Sequence, residues 1–276
     1  MNPSVTLYRT PAGIVAESQG KYHQLRGADL DTVFTEPNPA HWVTQALAQA
    51  EVVSRPETLL APIQSQEVWA SGVTYLRSRD ARIEESKDAG GGTFYDRVYD
   101  ADRPELFFKA TPHRVVAPGA PMRLRADARW NVPEPELTLA LNRNGQIFGY
   151  TIGNDLSSRD IEGENPLYLP QAKVWADCCA LGPGLVITDP LPKETAITIS
   201  IIRSGAPVFE GGTSLSQMKR SLDELAAWLW RDNRFPAGAY LMTGTGTVPP
   251  NEFTLQSGDE MRITIGTLGT LSNRVA

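Results

Sequence analysis

Apolar and polar positions alternate along most of this chain, with helical spacing confined to short stretches, so strands dominate the expected structure. Val5-Thr-Leu-Tyr-Arg9 and Gly13-Ile-Val-Ala-Glu17 are short apolar runs, and residues 4–35 read as two or three strands. His41 to Val52 has helical periodicity with alanine filling. Arg55-Pro56 and Ala61-Pro62 then punctuate the chain and divide a small N-terminal domain, 1–62, from a larger one, 63–276. Glu67 to Tyr75 reads as a buried strand entering a loop, and Pro104-Glu105-Leu-Phe-Phe-Lys109 as an apolar strand bracketed by an acid and a base. Leu156 to Glu162 opens like a turn or short helix capped by Ser157 or Ser158, and Tyr168 to Lys173 reads as extended. Leu185–Thr188, Ala196–Ile202 and Met261–Gly266 are further strands. Ser214 to Asp232 is an amphipathic helix: Leu215, Met218, Leu222, Leu225 and Leu229 form its core stripe, and Ser214 with Gln217 makes a capping box. No alternation of strand and helix appears, which favours a mixed-β (β-rich α+β) fold over a doubly wound one.

The sharpest local signal lies between Glu134 and Asp155. Asn144-Gly145 separates two strand-like runs, the strongest short-range hairpin signal. With these two as the loop of a type I′ turn, Glu134 faces Asp155 across the hairpin, and Glu136 shares the face of Glu134 two positions on. Directly opposed Cβ atoms lie roughly 4.5–5.5 Å apart, so three carboxylates crowd one face. Such crowding is tolerated where a cation sits among the acids, and oxygen-only donors suit a hard divalent ion such as Mg²⁺. The competing reading is a solvated acidic strand edge.

Net charge of −6 and a pI near 5.2 argue against a nucleic-acid surface, and no basic stripe offsets them. No apolar run reaches the roughly 20 residues that span a bilayer. The N-terminus lacks a signal-peptide layout, and the only cysteines, Cys178 and Cys179, are adjacent and poorly placed for a disulfide with each other. A cytoplasmic protein with two buried thiols is therefore expected, without a zinc site.

Other stretches carry candidate chemistry. Arg77 to Glu85 is charged and helical in composition, and Ala89-Gly-Gly-Gly-Thr93 follows; the pair reads as a lid over a pocket or as a surface helix with a loose connection. Glu105 and Lys109 share parity, so both face one cavity or both are strand-end surface charges. Leu241-Met-Thr-Gly-Thr-Gly-Thr247 offers donors for a carboxylate or phosphate oxygen but lacks the spacing of a nucleotide-binding loop.

Five blocks taken together resemble the fumarylacetoacetate hydrolase superfamily: Glu134-Pro-Glu136-Leu; Gly149-Tyr-Thr-Ile-Gly-Asn154-Asp155-Leu-Ser-Ser-Arg159-Asp160; Lys173 before Gly182-Pro183; Thr243-Gly-Thr245; and Gly258-Asp259. The resemblance covers about residues 65–276. It implies a β-rich catalytic fold, a Mg²⁺ (or Mn²⁺, Ca²⁺) ion on Glu134, Glu136 and Asp155, an active-site lysine at Lys173, and a homodimer or homotetramer. Hydrolases of the superfamily carry a histidine after the first core strand. Here Gly72 to Asp80 contains none, and the three histidines are His23, His41 and His113. Arg103-Pro-Glu105-Leu-Phe-Phe-Lys109-Ala and Glu164 to Lys173 are instead similar to the 2-keto-3-deoxy-D-arabinonate dehydratase branch. That similarity implies a Mg²⁺-dependent hydro-lyase acting on a small 2-oxo acid, with Lys173 and Glu105 transferring protons. It also implies that Thr245 holds the substrate carboxylate, and that Tyr75, Ser78, Arg79, Lys109 and Glu162 line its site. The alternatives are an acylpyruvate or fumarylacetoacetate-type C–C hydrolase, a 2-hydroxyhepta-2,4-diene-1,7-dioate isomerase, and a non-catalytic metal- or ligand-binding protein.

Overall fold

The computed structural model describes residues 4–79 and 92–276, with the side chains of all of them except 92–95. The hairpin forms its centre. Strands β10 (Pro135–Leu141) and β11 (Ile147–Asp155) pair antiparallel as expected, but through a different turn. The Asn142 carbonyl accepts from the Gly145 N–H at 2.8 Å, and the Asn142 N–H donates to the Gln146 carbonyl at 3.0 Å. Gly145 is left-handed at φ 79° while Asn144 is not, so the loop holds three residues rather than a type I′ pair. The Asn142 side chain stabilises it by accepting from the N–H groups of Asn144 and Gln146, both at 3.0 Å. This turn shifts the first pair to Leu141–Ile147, a bulge then leaves Phe148 unpaired, and the expected register returns from Ala140–Gly149 to Pro135–Asn154. The Asp155 N–H donates to the Glu134 carbonyl at 3.0 Å, so the two acids end up opposed.

Around this hairpin runs an eleven-stranded mixed sheet. On one side β11 pairs with β13 (Cys179–Ile187), which continues into β1 (Val5–Thr10), β2 (Gly13–Ser18), β3 (Lys21–Leu25) and β4 (Glu51–Val53). On the other side β10 pairs with β16 (Ala239–Met242), β16 runs parallel to β5 (Glu67–Gly72), and β6 (Glu105–Ala110) closes the edge. The β7 segment (Val115–Val116) branches off β13. Residues 1–62 thus extend the same sheet that carries the hairpin. A second sheet contains β8 (Pro121–Met122), β14 (Ala196–Arg203), β15 (Ala206–Ser214), β17 (Glu260–Ile265) and β18 (Thr270–Val275). Leu137, Leu139 and Leu141 of β10 pack with Ile197, Ile199, Ile201 and Ile263 of that sheet. The alternate positions Glu136, Thr138 and Ala140 therefore face the other way, and all seven residues of β10 are buried. A carboxylate in such a strand must find its partners inside the protein.

Four segments depart from the pattern-based expectation. Past β3 the chain enters helix α1 (Leu30–Thr35), because Asp29 caps it by accepting from the Thr32 N–H at 2.7 Å. Helix α2 spans Pro39–Ala48, and Val52 belongs to β4 instead. The segment before Lys173 is helical rather than extended. Asn165 accepts from the Leu167 N–H at 3.0 Å, and Pro166 and Pro170 fall in first-turn positions where no N–H is needed. The amphipathic helix is shorter than its stripe: it spans Leu222–Trp230, and its cap is Ser221, which accepts from the Glu224 N–H at 3.1 Å. Cross-strand pairing of β15 with β14 claims Ser214, and Leu215–Gln217 is a single 3₁₀ turn. The charged stretch after Arg77 and the glycine tract fall mostly on residues 80–91, outside the described residues. Among the described residues no helix is long and apolar enough to cross a membrane.

Candidate active site

Glu134, Glu136 and Asp155 each offer an oxygen within 4.8 Å of the others, and all three are buried. Glu134 stands at the entry to β10, Glu136 lies two residues further on the same face, and Asp155 ends β11. Burial, then the charges of Asp155 and Glu134, hold the Glu136 carboxyl well above the usual carboxylate range. Its Oε2 accepts from the Gly244 N–H at 2.5 Å.

Three cations are packed around these acids. Lys173, at the end of α5 (residues 169–173, with α4 spanning Arg159–Glu164), is fully buried. Its Nζ donates to Glu134 Oε2 at 2.8 Å, Asp155 Oδ2 at 3.2 Å and Ser157 Oγ at 2.6 Å. Arg159 pairs with Glu134 at 2.9 Å and with Glu162 at 3.0 Å, and Glu162 lies 3.8 Å from Lys173. Lys109 reaches Asp155 Oδ1 at 2.5 Å. Among the described residues this cluster sets four buried carboxylates against three cations. The imbalance, the crowding and the oxygen-only donor set fit a hard divalent cation on Glu134, Glu136 and Asp155.

A narrow cleft opens onto this cluster, with a cavity volume of about 10 Å³. It is lined by Glu134, Glu136, Lys173 and Arg159 of the cluster, by Ser71, Gly72, Val73 and Ser78, and by Phe107, Gly244, Thr245 and Val248. Val73 adopts φ 53°, a left-handed conformation that costs a β-branched residue about 1–3 kcal/mol and turns the chain out of β5. Glu105, on β6, lies across from Gly72. A methyl on Gly72 would come within 2.5 Å of Glu105 Cδ, so only glycine leaves room for that carboxyl.

The remaining expected site residues fall in different places. Thr245 lines the cleft, with its hydroxyl donating to the Thr247 carbonyl at 2.9 Å. Ser78 closes the turn after Thr74: its hydroxyl donates to the Tyr75 carbonyl at 2.7 Å and also lines the cleft. Tyr75 is buried, and burial and then the charge of Glu136 push its phenol above the ordinary range. Arg79 turns toward helix α3 (Gly92–Asp100), 3.7 Å from Asp96 and over the Tyr99 ring. Lys109 shares parity with Glu105 but does not line the cleft. Besides Asp155, its ammonium donates to the carbonyls of Leu156 at 2.9 Å and Lys173 at 2.6 Å, which uses all three donors. Burial opposes its charge most strongly, but Asp155, Cys178 and Cys179 together outweigh it, and its pKa lies above the ordinary lysine value. Lys109 thus fixes the backbone on both sides of the lysine–aspartate contact. Arg159, Ser157 and the Gly244 N–H join the site with no sequence signal that marks them. Serine, arginine and glycine in a polar run look alike whether buried or solvated.

Comparison with known proteins agrees with this geometry. The model of the fumarylacetoacetate (FAA) hydrolase C-terminal family matches residues 68–276. The chain is 51% identical over 216 residues to a probable 2-keto-3-deoxyxylonate dehydratase of Haloferax volcanii, covering 78% of this chain and 73% of the relative. It is 47% identical over 213 residues to the 2-dehydro-3-deoxy-D-arabinonate dehydratase of Saccharolobus solfataricus, covering 76% and 72%. A solved structure of 2-keto-3-deoxy-D-arabinonate dehydratase complexed with magnesium and 2,5-dioxopentanoate superposes with a TM-score of 0.83 at 34% identity, over 99% of this chain and 98% of that one. With its acidic trio, buried lysine and β-rich architecture in the same places along the sequence that the family model covers, the chain belongs to the fumarylacetoacetate hydrolase family.

Proposed function

We propose that this protein is a Mg²⁺-dependent dehydratase of 2-keto-3-deoxy sugar acids, converting 2-keto-3-deoxy-D-arabinonate to α-ketoglutarate semialdehyde. The observation that carries the reading is the placement of Lys173, a buried amine in contact with two of the three metal-binding carboxylates. Similarity to dehydratases at 51% and 47% identity supports the reaction class. None of the three histidines lines the cleft, so among the described residues no imidazole is placed to activate water for hydrolysis.

Glu134, Glu136 and Asp155 would hold the ion. Bound there, it supplies Lewis-acid stabilisation for negative charge developing on the 2-oxo oxygen of the substrate. Lys173, in its neutral form, takes the proton from C3. Glu105 gives a proton to the C4 hydroxyl, which leaves as water, and tautomerisation completes the aldehyde. Thr245 meets the carboxylate end of the substrate, Ser78 belongs to the lining beside it, and Tyr75 is buried outside that lining. Arg159 bridges Glu134 and Glu162 through one nitrogen, Nη1, which neutralises part of their mutual repulsion. Lys109 acts through Asp155 and the Lys173 backbone rather than on the substrate. The test is to incubate the protein with Mg²⁺ and 2-keto-3-deoxy-D-arabinonate and to follow semialdehyde formation. EDTA abolishes the product on this reading; pyruvate release from an acylpyruvate without dehydration would establish a hydrolase instead.

A further inference from the structure

Beside the catalytic cluster, one hydroxyl that lines the cleft has no hydrogen-bond partner among the described residues. It belongs to Ser71, the penultimate residue of β5, which is 2% exposed. Two other buried hydroxyls share that condition, those of Tyr75 and Thr138, but only Ser71 lines the cleft among the described residues. Its neighbours place it next to the reacting groups. Gly72 follows it and carries the Glu105 carboxyl above its Cα, and a Cβ on Gly244, the residue whose N–H holds Glu136, would lie 3.0 Å from the Ser71 carbonyl. A buried hydroxyl without a partner destabilises a fold by about 1–3 kcal/mol. Alanine at this position would fit the same space without that cost.

We propose that Ser71 is a substrate-contact residue whose hydroxyl binds an oxygen of the 2-oxo acid between the metal-binding carboxylates and Glu105. The inference rests on the dehydratase reading for the identity of the substrate, and on the unsatisfied hydroxyl for the contact itself. A hydroxyl kept for a ligand affects activity and stability in opposite directions. Ser71→Ala should leave the melting temperature of the metal-loaded protein unchanged or higher and leave Mg²⁺ affinity unchanged. It should also lower kcat/KM for 2-keto-3-deoxy-D-arabinonate at least tenfold. Ser71→Cys, which keeps the volume and a weak donor, should fall between the two and serves if the alanine variant does not fold. A kcat/KM within twofold of wild type overturns the proposal, because the hydroxyl then has no substrate partner. A melting temperature lowered by several degrees also overturns it, because the hydroxyl then serves the fold. If wild-type protein dehydrates no 2-keto-3-deoxy acid, the function reading fails and the contact is decided by titrating pyruvate into the Mg²⁺-loaded proteins. Wild type binding at least fivefold tighter than Ser71→Ala sustains the contact, and equal binding ends it.

Discussion

Lys173→Met removes the ammonium and keeps the apolar stem, and it separates the two roles that the structure gives this lysine. In the folded protein the amine is fully buried and touches Glu134, Asp155 and Ser157 at 2.8, 3.2 and 2.6 Å. Deleting one partner of a buried ion pair costs about 3–5 kcal/mol, because the other charge stays behind unpaired. In a chain of this size that corresponds to a melting temperature roughly 6–20 °C lower without metal. A divalent cation and the ammonium compete for the same two carboxylates. Mg²⁺ at 100 times its dissociation constant returns about 2.7 kcal/mol by mass action alone, and loss of the competitor tightens the binding further. The variant should therefore gain more in melting temperature from a given Mg²⁺ concentration than wild type does. Turnover should fall by roughly 10²–10⁴, the contribution of a positioned general base. Differential scanning fluorimetry across a Mg²⁺ series and semialdehyde formation at saturating metal read both arms. Turnover within tenfold of wild type would remove Lys173 from the proton transfer, and a Mg²⁺-induced shift no larger than that of wild type would show that the ammonium does not compete with the ion.

Other perturbations address single contacts. Gly72→Ala should push aside the flexible Glu105 side chain at small cost in stability while lowering turnover by roughly 10²–10⁴, and wild-type kinetics in that variant would remove Glu105 from the proton transfer. Val73→Gly relieves left-handed strain of about 1–3 kcal/mol but forfeits about 1.5–3 kcal/mol from the buried side chain and about 0.5–1 kcal/mol in backbone entropy, so stability read by urea unfolding should fall by about 1 kcal/mol; a gain would mean that the strain exceeds what burial returns. Asp29 offers a pH test outside the site. The N–H of Thr32, then its hydroxyl, hold the Asp29 carboxyl below its ordinary 3.8, so its cap stabilises the fold above that pH and is lost as pH falls through the lowered value. The stability difference between wild type and Asp29→Asn should accordingly shrink in urea titrations from pH 7 to pH 3, and a constant difference would rule out the charged cap.

What could be read from the chain alone was local. Parity puts Glu134 and Glu136 on one strand face whatever surrounds them, and Asn-Gly between apolar runs makes a hairpin that brings Asp155 back beside them. Alternating Ile197, Ile199 and Ile201 mark a half-buried strand for the same reason. Motif order, with Lys173 and Glu105 at set intervals, added the chemistry. Tertiary structure decided whatever depends on a competing partner. The three-residue turn at Asn142 and the bulge at Phe148 each shift the pairing by one, and they restore the carboxylate register only in combination. Pairing of β15 with its hairpin neighbour β14 delayed the start of the amphipathic helix to Leu222, since the strand ladder took Ser214, where the leucine stripe begins. Lys109 turned from the cavity to Asp155 because a buried ammonium binds where three acceptors converge, and no spacing rule reveals where two backbone carbonyls will point. Arg159 became part of the site through burial beside Glu134, and Ser71 lines the cleft with a hydroxyl that has no hydrogen-bond partner among the described residues. Periodicity and turn chemistry are properties of neighbouring residues and survive in the sequence, whereas desolvation and charge pairing exist only once distant strands have closed around them.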